Sequence, residues 1–512
     1  MNRDAIQRIL VALTLTTLAA VLLHGQVGPG LRFEVTLDPS LPAQPAGRLL
    51  VVMALSDRIE PRRLIGRTGR DATPTVGVDV PALAPGDRAI LDATAAAFPI
   101  ESLGDLPAGA YHVQAVLNIN RDLRSPGASG NLFSEPLRVA FDPARQEPVR
   151  LTLTRRIPDE QLPADEEYLR FITIRSELLT EFHGRPISLR AGVILPSGFD
   201  QEPERSYPLR VHIGGYGARY TSIRSMMRPG SSFREAWLAE DVPRMVLLHL
   251  DGAGPYGDPY QVNSANNGPY GDAVTQELIP FVEREFRGIG EPHARVLDGR
   301  STGGWVSLAL QIFYPDFFNG AWASCPDGVD FRAFQRVDIY RGDSAYVDAE
   351  GNELPSARNR DGTVRFTMRH ELQMENALGL GDSWTMSGRQ WGAWNAVYGP
   401  RGQHGRPVPL WDPATGLIDR SVTRHWEQYD LRLVLEQHWD ELAPKLRGKL
   451  NIWVGEMDDY YLNNAVHLLD EFLQTRPSID ARIAYGPERG HCWTGISQTE
   501  LIWEIGARTR AR

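Results

Sequence analysis

The chain has 512 residues, 42% hydrophobic and 23% charged, which is long enough for two or three domains and apolar enough to fill their cores. Its formal charge is −10 with no long basic run, so a phosphate backbone meets net repulsion and nucleic acid is not an expected partner. Two cysteines, Cys325 and Cys492, exclude a disulfide-rich scaffold and a cysteine-rich zinc site.

In chain order, Met1 to Arg8 carries Arg3 and Arg8, and Ile9 to Leu23 is an unbroken run of apolar residues and threonine. That is the pattern of a secretory signal over residues 1–25, or, since small residues fit the cleavage position poorly, of an uncleaved anchor. The rest of the chain is therefore expected to be exported, to the periplasm or beyond, with no further membrane span. Residues 27–157 hold strand-like runs at Arg32–Leu37, Gly47–Leu55, Ala110–Ile119 and Val149–Ile157, parted by Pro and Gly clusters, which predicts a small all-β sandwich. The acidic, proline-bearing stretch 158–167 reads as a linker.

From residue 168 to 512 short apolar strands (Tyr207–Ile213, Met245–Leu250, Arg295–Leu297) alternate with longer helices (Ala273–Phe286, Gly304–Phe313), predicting an α/β domain with a parallel sheet covered on both faces. Residues 331–446 interrupt that alternation with six of the twelve tryptophans and many Gly and Pro. They read as a long insertion between two strands, a lid or pocket wall whose aromatic residues chiefly fill its own core.

The chemistry concentrates at Gly299-Arg300-Ser301-Thr302-Gly303, a G-x-S-x-G at a strand-to-helix junction. Such a turn holds a serine hydroxyl exposed above a sheet, and the flanking glycines are needed where the strand doubles back. A serine needs a base to take its proton and a carboxylate to orient that base, in the chain order Ser, acid, His. The predicted strand Leu450–Val454 runs into Asp458, with Asp459 as the alternative acid, and a loop after the strand Ala481–Tyr485 carries His491, the base. For the oxyanion the two donors are the backbone amides of Thr302 and of Tyr216, the latter in the turn after Tyr207–Ile213, with Gly215 next in line. No metal-binding motif and no cofactor fingerprint occurs: HExxH is absent, and the turn at Gly214–Gly217 fails the G-x-G-x-x-G register at Tyr220.

Taken together, LPSGFD (Leu195–Asp200), HIGGYG (His212–Gly217), the helix Gly271–Arg287, DGRSTGGW (Asp298–Trp305), VGEMDDYYLN (Val454–Asn463) and RGHCW (Arg489–Trp493) resemble the "Putative esterase" family of α/β-hydrolases, relatives of feruloyl and acetylxylan esterases, enterochelin esterase and S-formylglutathione hydrolase. The resemblance covers roughly residues 185–493 and implies a serine carboxylic-ester hydrolase acting on a small-molecule or glycan-linked ester, with Ser301 as nucleophile, Asp458 as acid and His491 as base. His491-Cys492 also resembles tannase-like esterases, in which a cysteine beside the histidine is bridged to one beside the serine. Here Arg300 holds the latter position, and Cys325 is the partner expected for Cys492. The competing readings are a serine peptidase or amidase with the same triad, and a carbohydrate-binding protein that keeps the fold without the chemistry.

Overall fold

The computed structural model describes residues 30–142 and 147–510; the expected signal or anchor over residues 1–25 lies outside them. Among the described residues no helix is long and apolar enough to cross a membrane.

The described residues of 33–156 form a nine-stranded sheet, eight strands in one hydrogen-bonded path and the ninth, Leu137–Phe141, branching off it, with no α-helix among them. The long strand Gly109–Asn118 pairs with Leu137–Phe141 along its first half and with Leu132–Ser134 near its end, and the latter passes the sheet on to Val149–Arg156. Alternation sets the inward face: Val113, Ala115 and Leu117 pack with Val35, Leu49, Val51, Leu151 and Leu153 in one apolar core.

The second sheet has eight strands in the order Leu169–Arg175, Ser188–Ile194, Val246–Leu250, Leu209–Ile213, Arg295–Arg300, Ala321–Ser324, Leu450–Gly455, Arg482–Gly486. The last six are mutually parallel as expected, and the first two join antiparallel. The strands that lead to Ser301, Asp458 and His491 all end at the same carboxyl edge, which brings the three residues to one side of the sheet. Leu209, Val211 and Ile213 face one apolar core, while Arg210 and His212 point to the opposite face. The helix expected over Ala273–Phe286 is broken by a π-turn at Ala273–Leu278, just ahead of Pro280, whose ring nitrogen cannot donate to the preceding turn.

Residues 325–449 lie between two neighbouring parallel strands. Trp384, Trp391, Trp394, Trp411 and Trp426 are fully buried and continuous with the sheet's own core. The helix Met368–Leu378 of this stretch docks on the nine-stranded sheet through Met374, Ala377 and Leu378 against Leu50, Val52, Phe98 and Val116. Arg48, buried within the front sheet, seals the contact: its guanidinium donates to the Ala377 carbonyl at 2.8 Å and pairs with Asp79 at 2.9 Å and Asp382 at 2.8 Å. Arg48→Leu is expected to cost about 2 kcal/mol in urea unfolding, because the carbonyl stays buried without its donor while the two half-exposed acids rehydrate; an unchanged midpoint would remove Arg48 from this role.

Candidate active site

Ser301 caps the helix Thr302–Phe313 with φ 55 and ψ −123, a backbone conformation that costs a non-glycine residue on the order of 1–3 kcal/mol and persists where the surroundings impose it. They do so here by close approach. A β-carbon on Gly303 would stand 2.1 Å from the Ile213 carbonyl oxygen, and one on Gly299 would stand 2.2 Å from that of Gly303. The two glycines of G-x-S-x-G are thus required by backbone meeting backbone, with no side chain that could give way.

Asp458 follows the strand Leu450–Gly455 and is fully buried; its Oδ1 accepts from the amides of Tyr460 and Leu462, and its Oδ2 lies 2.8 Å from Nδ1 of His491. Asp459, the alternative acid, instead accepts the His491 amide at 3.1 Å and pairs with Arg365 at 3.6 Å, so it shapes the loop. The hydroxyl of Ser301 does not reach His491 in this state: it donates to Asp327 Oδ1 at 3.4 Å. The acid–base half of the expected constellation is therefore hydrogen-bonded and the serine half is not, as is common before substrate arrives. Ser301 and His491 line the same cavity of about 400 Å³, together with Tyr216, Asp327, Gln390 and Tyr460.

The amides of Tyr216 and Thr302 donate to no other described residue. The turn bearing Tyr216 is fixed from both sides. The Gly217 amide donates to Asp258 at 2.9 Å, and the Tyr216 hydroxyl donates to the Gly388 carbonyl in the insertion at 2.9 Å. Asp258 is wholly buried, and burial raises its pKa to about 7.

Cys325 and Cys492 come together as expected, but as two free thiols, the Cys325 sulfur donating to Cys492 at 2.8 Å; the structure shows adjacency and no bond. Their charges couple to the imidazole. Burial opposes its protonation, yet the Asp458 carboxylate and the Cys492 sulfur outweigh burial and raise His491 to about 11. The hydrogen bond from Cys325, with His491 beside it, brings Cys492 down to about 6, while burial pushes Cys325 well up. Cys325, Cys492 and His491 are also the one grouping of three metal-type donors found among the described residues, with ligand atoms within 4.8 Å. Two sulfurs and one imidazole are a zinc-type donor set, and with Nδ1 of His491 bonded to Asp458 its Nε2 is the nitrogen left for a ligand's role or a base's.

One residue at the centre of the site was not singled out from the sequence. Asp327, fully buried, accepts at Oδ2 from the Tyr260 hydroxyl (2.6 Å), Thr302 Oγ1 (3.0 Å), Trp394 Nε1 (3.1 Å) and Gln390 Nε2 (3.3 Å), besides the contact with Ser301. It joins the serine's helix to the insertion, and Trp394 is the tryptophan that both fills the core and faces the cavity. Its signal was available: Asp327 follows the carboxyl end of the strand Ala321–Ser324, as Asp458 follows its own.

A ferulic acid esterase matches at 12% identity over 67% of this chain and 98% of its own, with a TM-score of 0.40. An S-formylglutathione hydrolase from Agrobacterium tumefaciens (13%, 67% and 95%, 0.37) and the fluorophosphonate-binding serine hydrolase FphF from Staphylococcus aureus (14%, 67% and 100%, 0.38) match similarly. No curated protein matches the chain. The family model described as "Putative esterase" matches residues 186–476, more than half of the sequence and all of the sheet from Ser188 to Gly455. With a serine held on a glycine-flanked turn at the heart of that span, the chain belongs to the Putative esterase family and is an esterase of the α/β-hydrolase type.

Proposed function

We propose that the chain is an exported serine carboxylic-ester hydrolase that works through an acyl-enzyme on Ser301, with His491 as base and Asp458 as its orienting acid. The observation that carries this is the 2.8 Å contact from Asp458 to His491 in a cavity shared with the strained serine. With Nδ1–H held by Asp458, Nε2 is left to take the serine proton once the hydroxyl turns away from Asp327. The oxygen attacks the ester carbonyl, the oxyanion is received by the Tyr216 and Thr302 amides, and collapse expels the alcohol with the proton returned by His491. Water, deprotonated by the same imidazole, then releases the acid and restores the serine. Both imidazole nitrogens are occupied in that cycle, which is why the sulfurs beside it serve better as a disulfide than as metal ligands. Residues 27–157 act in this reading as a separate β-sandwich domain and residues 331–446 as a lid.

The test is labelling with a fluorophosphonate probe followed by mapping of the modified peptide: the adduct is expected on Ser301, and an adduct elsewhere, or none on folded protein, overturns the reading. Asp327→Asn separates the two carboxylates. It is expected to lower kcat by no more than about tenfold while costing about 2 kcal/mol in unfolding, since an amide oxygen cannot serve four donors; a loss as large as that of Asp458→Asn would make Asp327 part of the reacting set. Export is checked by fractionating cells that express the full chain, where protein confined to the cytosol would refute it.

A further inference from the structure

A second cavity, of about 290 Å³, lies on the other face of the eight-stranded sheet, beneath the same carboxyl edge. Its floor is Arg210, His212 and Asp298 on adjacent strands; its walls are the helices Ser232–Leu238 and Gln498–Arg508. Arg210 is buried to 1% exposure and grips Asp298 with two of its nitrogens, Nε at 2.8 Å and Nη2 at 2.7 Å, while His212 Nδ1 lies 2.9 Å from Asp298 Oδ2. The third nitrogen, Nη1 of Arg210, is buried with no hydrogen-bond partner. A guanidinium N–H left bare in a protein interior is costly, and the residue that carries it lines this cavity.

The remaining lining points to the same chemistry. Asp298 is the one acid facing this space, and both its oxygens are spoken for, whereas the exposed Arg300 and the half-buried Gln498 line it with side chains bonded to no described residue. The balance is cationic. Phe233, over whose ring the Arg210 guanidinium lies at 5.8 Å, and Trp322 and Trp453, all buried, make up the aromatic part of the lining. We propose that this cavity is a binding site for a small aromatic carboxylate, its carboxylate on Arg210 Nη1 and Arg300 and its ring against Phe233, Trp322 and Trp453. A ligand there touches Gly215 of the oxyanion turn, Gly299 before the nucleophile, and Thr494 and Ile496 on the loop that follows His491, so the site abuts the reaction centre from behind and shares Gly215 with the cavity that holds Ser301.

Equilibrium dialysis of labelled benzoate against the full chain tests this without any turnover. One saturable site is expected, with benzamide, the uncharged isostere, binding at least tenfold more weakly. Ser232 is exposed at the mouth, and Ser232→Trp is expected to plug it and abolish binding. Arg300→Gln, which disturbs no packing, is expected to weaken benzoate about tenfold, and serves should the plugged variant fail to fold. Absence of saturable binding, benzamide binding as tightly as benzoate, or benzoate binding that survives both substitutions would each overturn the site, the last by placing the ligand beside Ser301 instead.

Discussion

Ser301→Ala is expected to lower kcat for p-nitrophenyl acetate by on the order of 10⁴-fold or more while leaving the melting temperature nearly unchanged. The size follows from the reaction scheme, since no acyl-enzyme forms without the hydroxyl, and the residual rate is what the oxyanion amides and binding supply alone. Stability should hold because the serine oxygen has a single 3.4 Å contact, to a carboxylate with four other donors, and alanine suffers the same positive φ. Asp458→Asn is expected to fall by a comparable factor through the wrong imidazole tautomer. Turnover by Ser301→Ala within tenfold of wild type would end the assignment.

The second large effect is redox-dependent. With both thiols reduced, His491 sits near pKa 11, held up by Asp458 and by the Cys492 sulfur, so the imidazole is protonated throughout the neutral range and cannot accept a proton. At pH 8, well below that value, the neutral base is a small minority. Joining Cys325 to Cys492, with loss of two protons and two electrons to a small-molecule disulfide such as oxidised glutathione, removes the negative sulfur and leaves Asp458 as the group that favours imidazolium. Oxidised protein is therefore expected to be active at pH 8, and reduction to lower kcat/KM on the order of 100-fold, with activity returning as the pH approaches 11. Cys492→Ala has neither sulfur charge nor bridge, and should keep its activity in reductant. If the thiol count under denaturation rises from none to two on reduction and activity does not move, the sulfur does not control the base.

The sequence made the candidate site legible where local rules suffice. The glycine-flanked serine, the acid past one strand and the histidine past the next are each short-range patterns, and the sheet order brings them together. Asp327 obeys the same rule but sits in Cys325-Pro326-Asp327-Gly328, which reads as an ordinary turn until Tyr260, Gln390 and Trp394 arrive from distant parts of the chain. The resting position of the Ser301 hydroxyl was equally hidden, because it depends on that carboxylate. Arg48 resembled any strand arginine; its burial follows from contacts more than three hundred positions away, at Ala377 and Asp382. The unbonded Nη1 of Arg210 belongs to the same class, since nothing in a strand sequence says which nitrogens a neighbouring aspartate will leave over.

The docking of the front sheet on the insertion has a mechanical outcome. Besides Arg48, the Gly69 amide donates to His370, Arg389 donates to the Ile65 carbonyl, and Gln373 reaches the Ile100 carbonyl, so the stretch that lends Gln390 and Trp394 to the cavity is clamped to the front sheet. A stretch tied at so many points does not swing without carrying the nine-stranded sheet with it, so the walls it lends to the cavity move, if at all, as one body with the front of the chain.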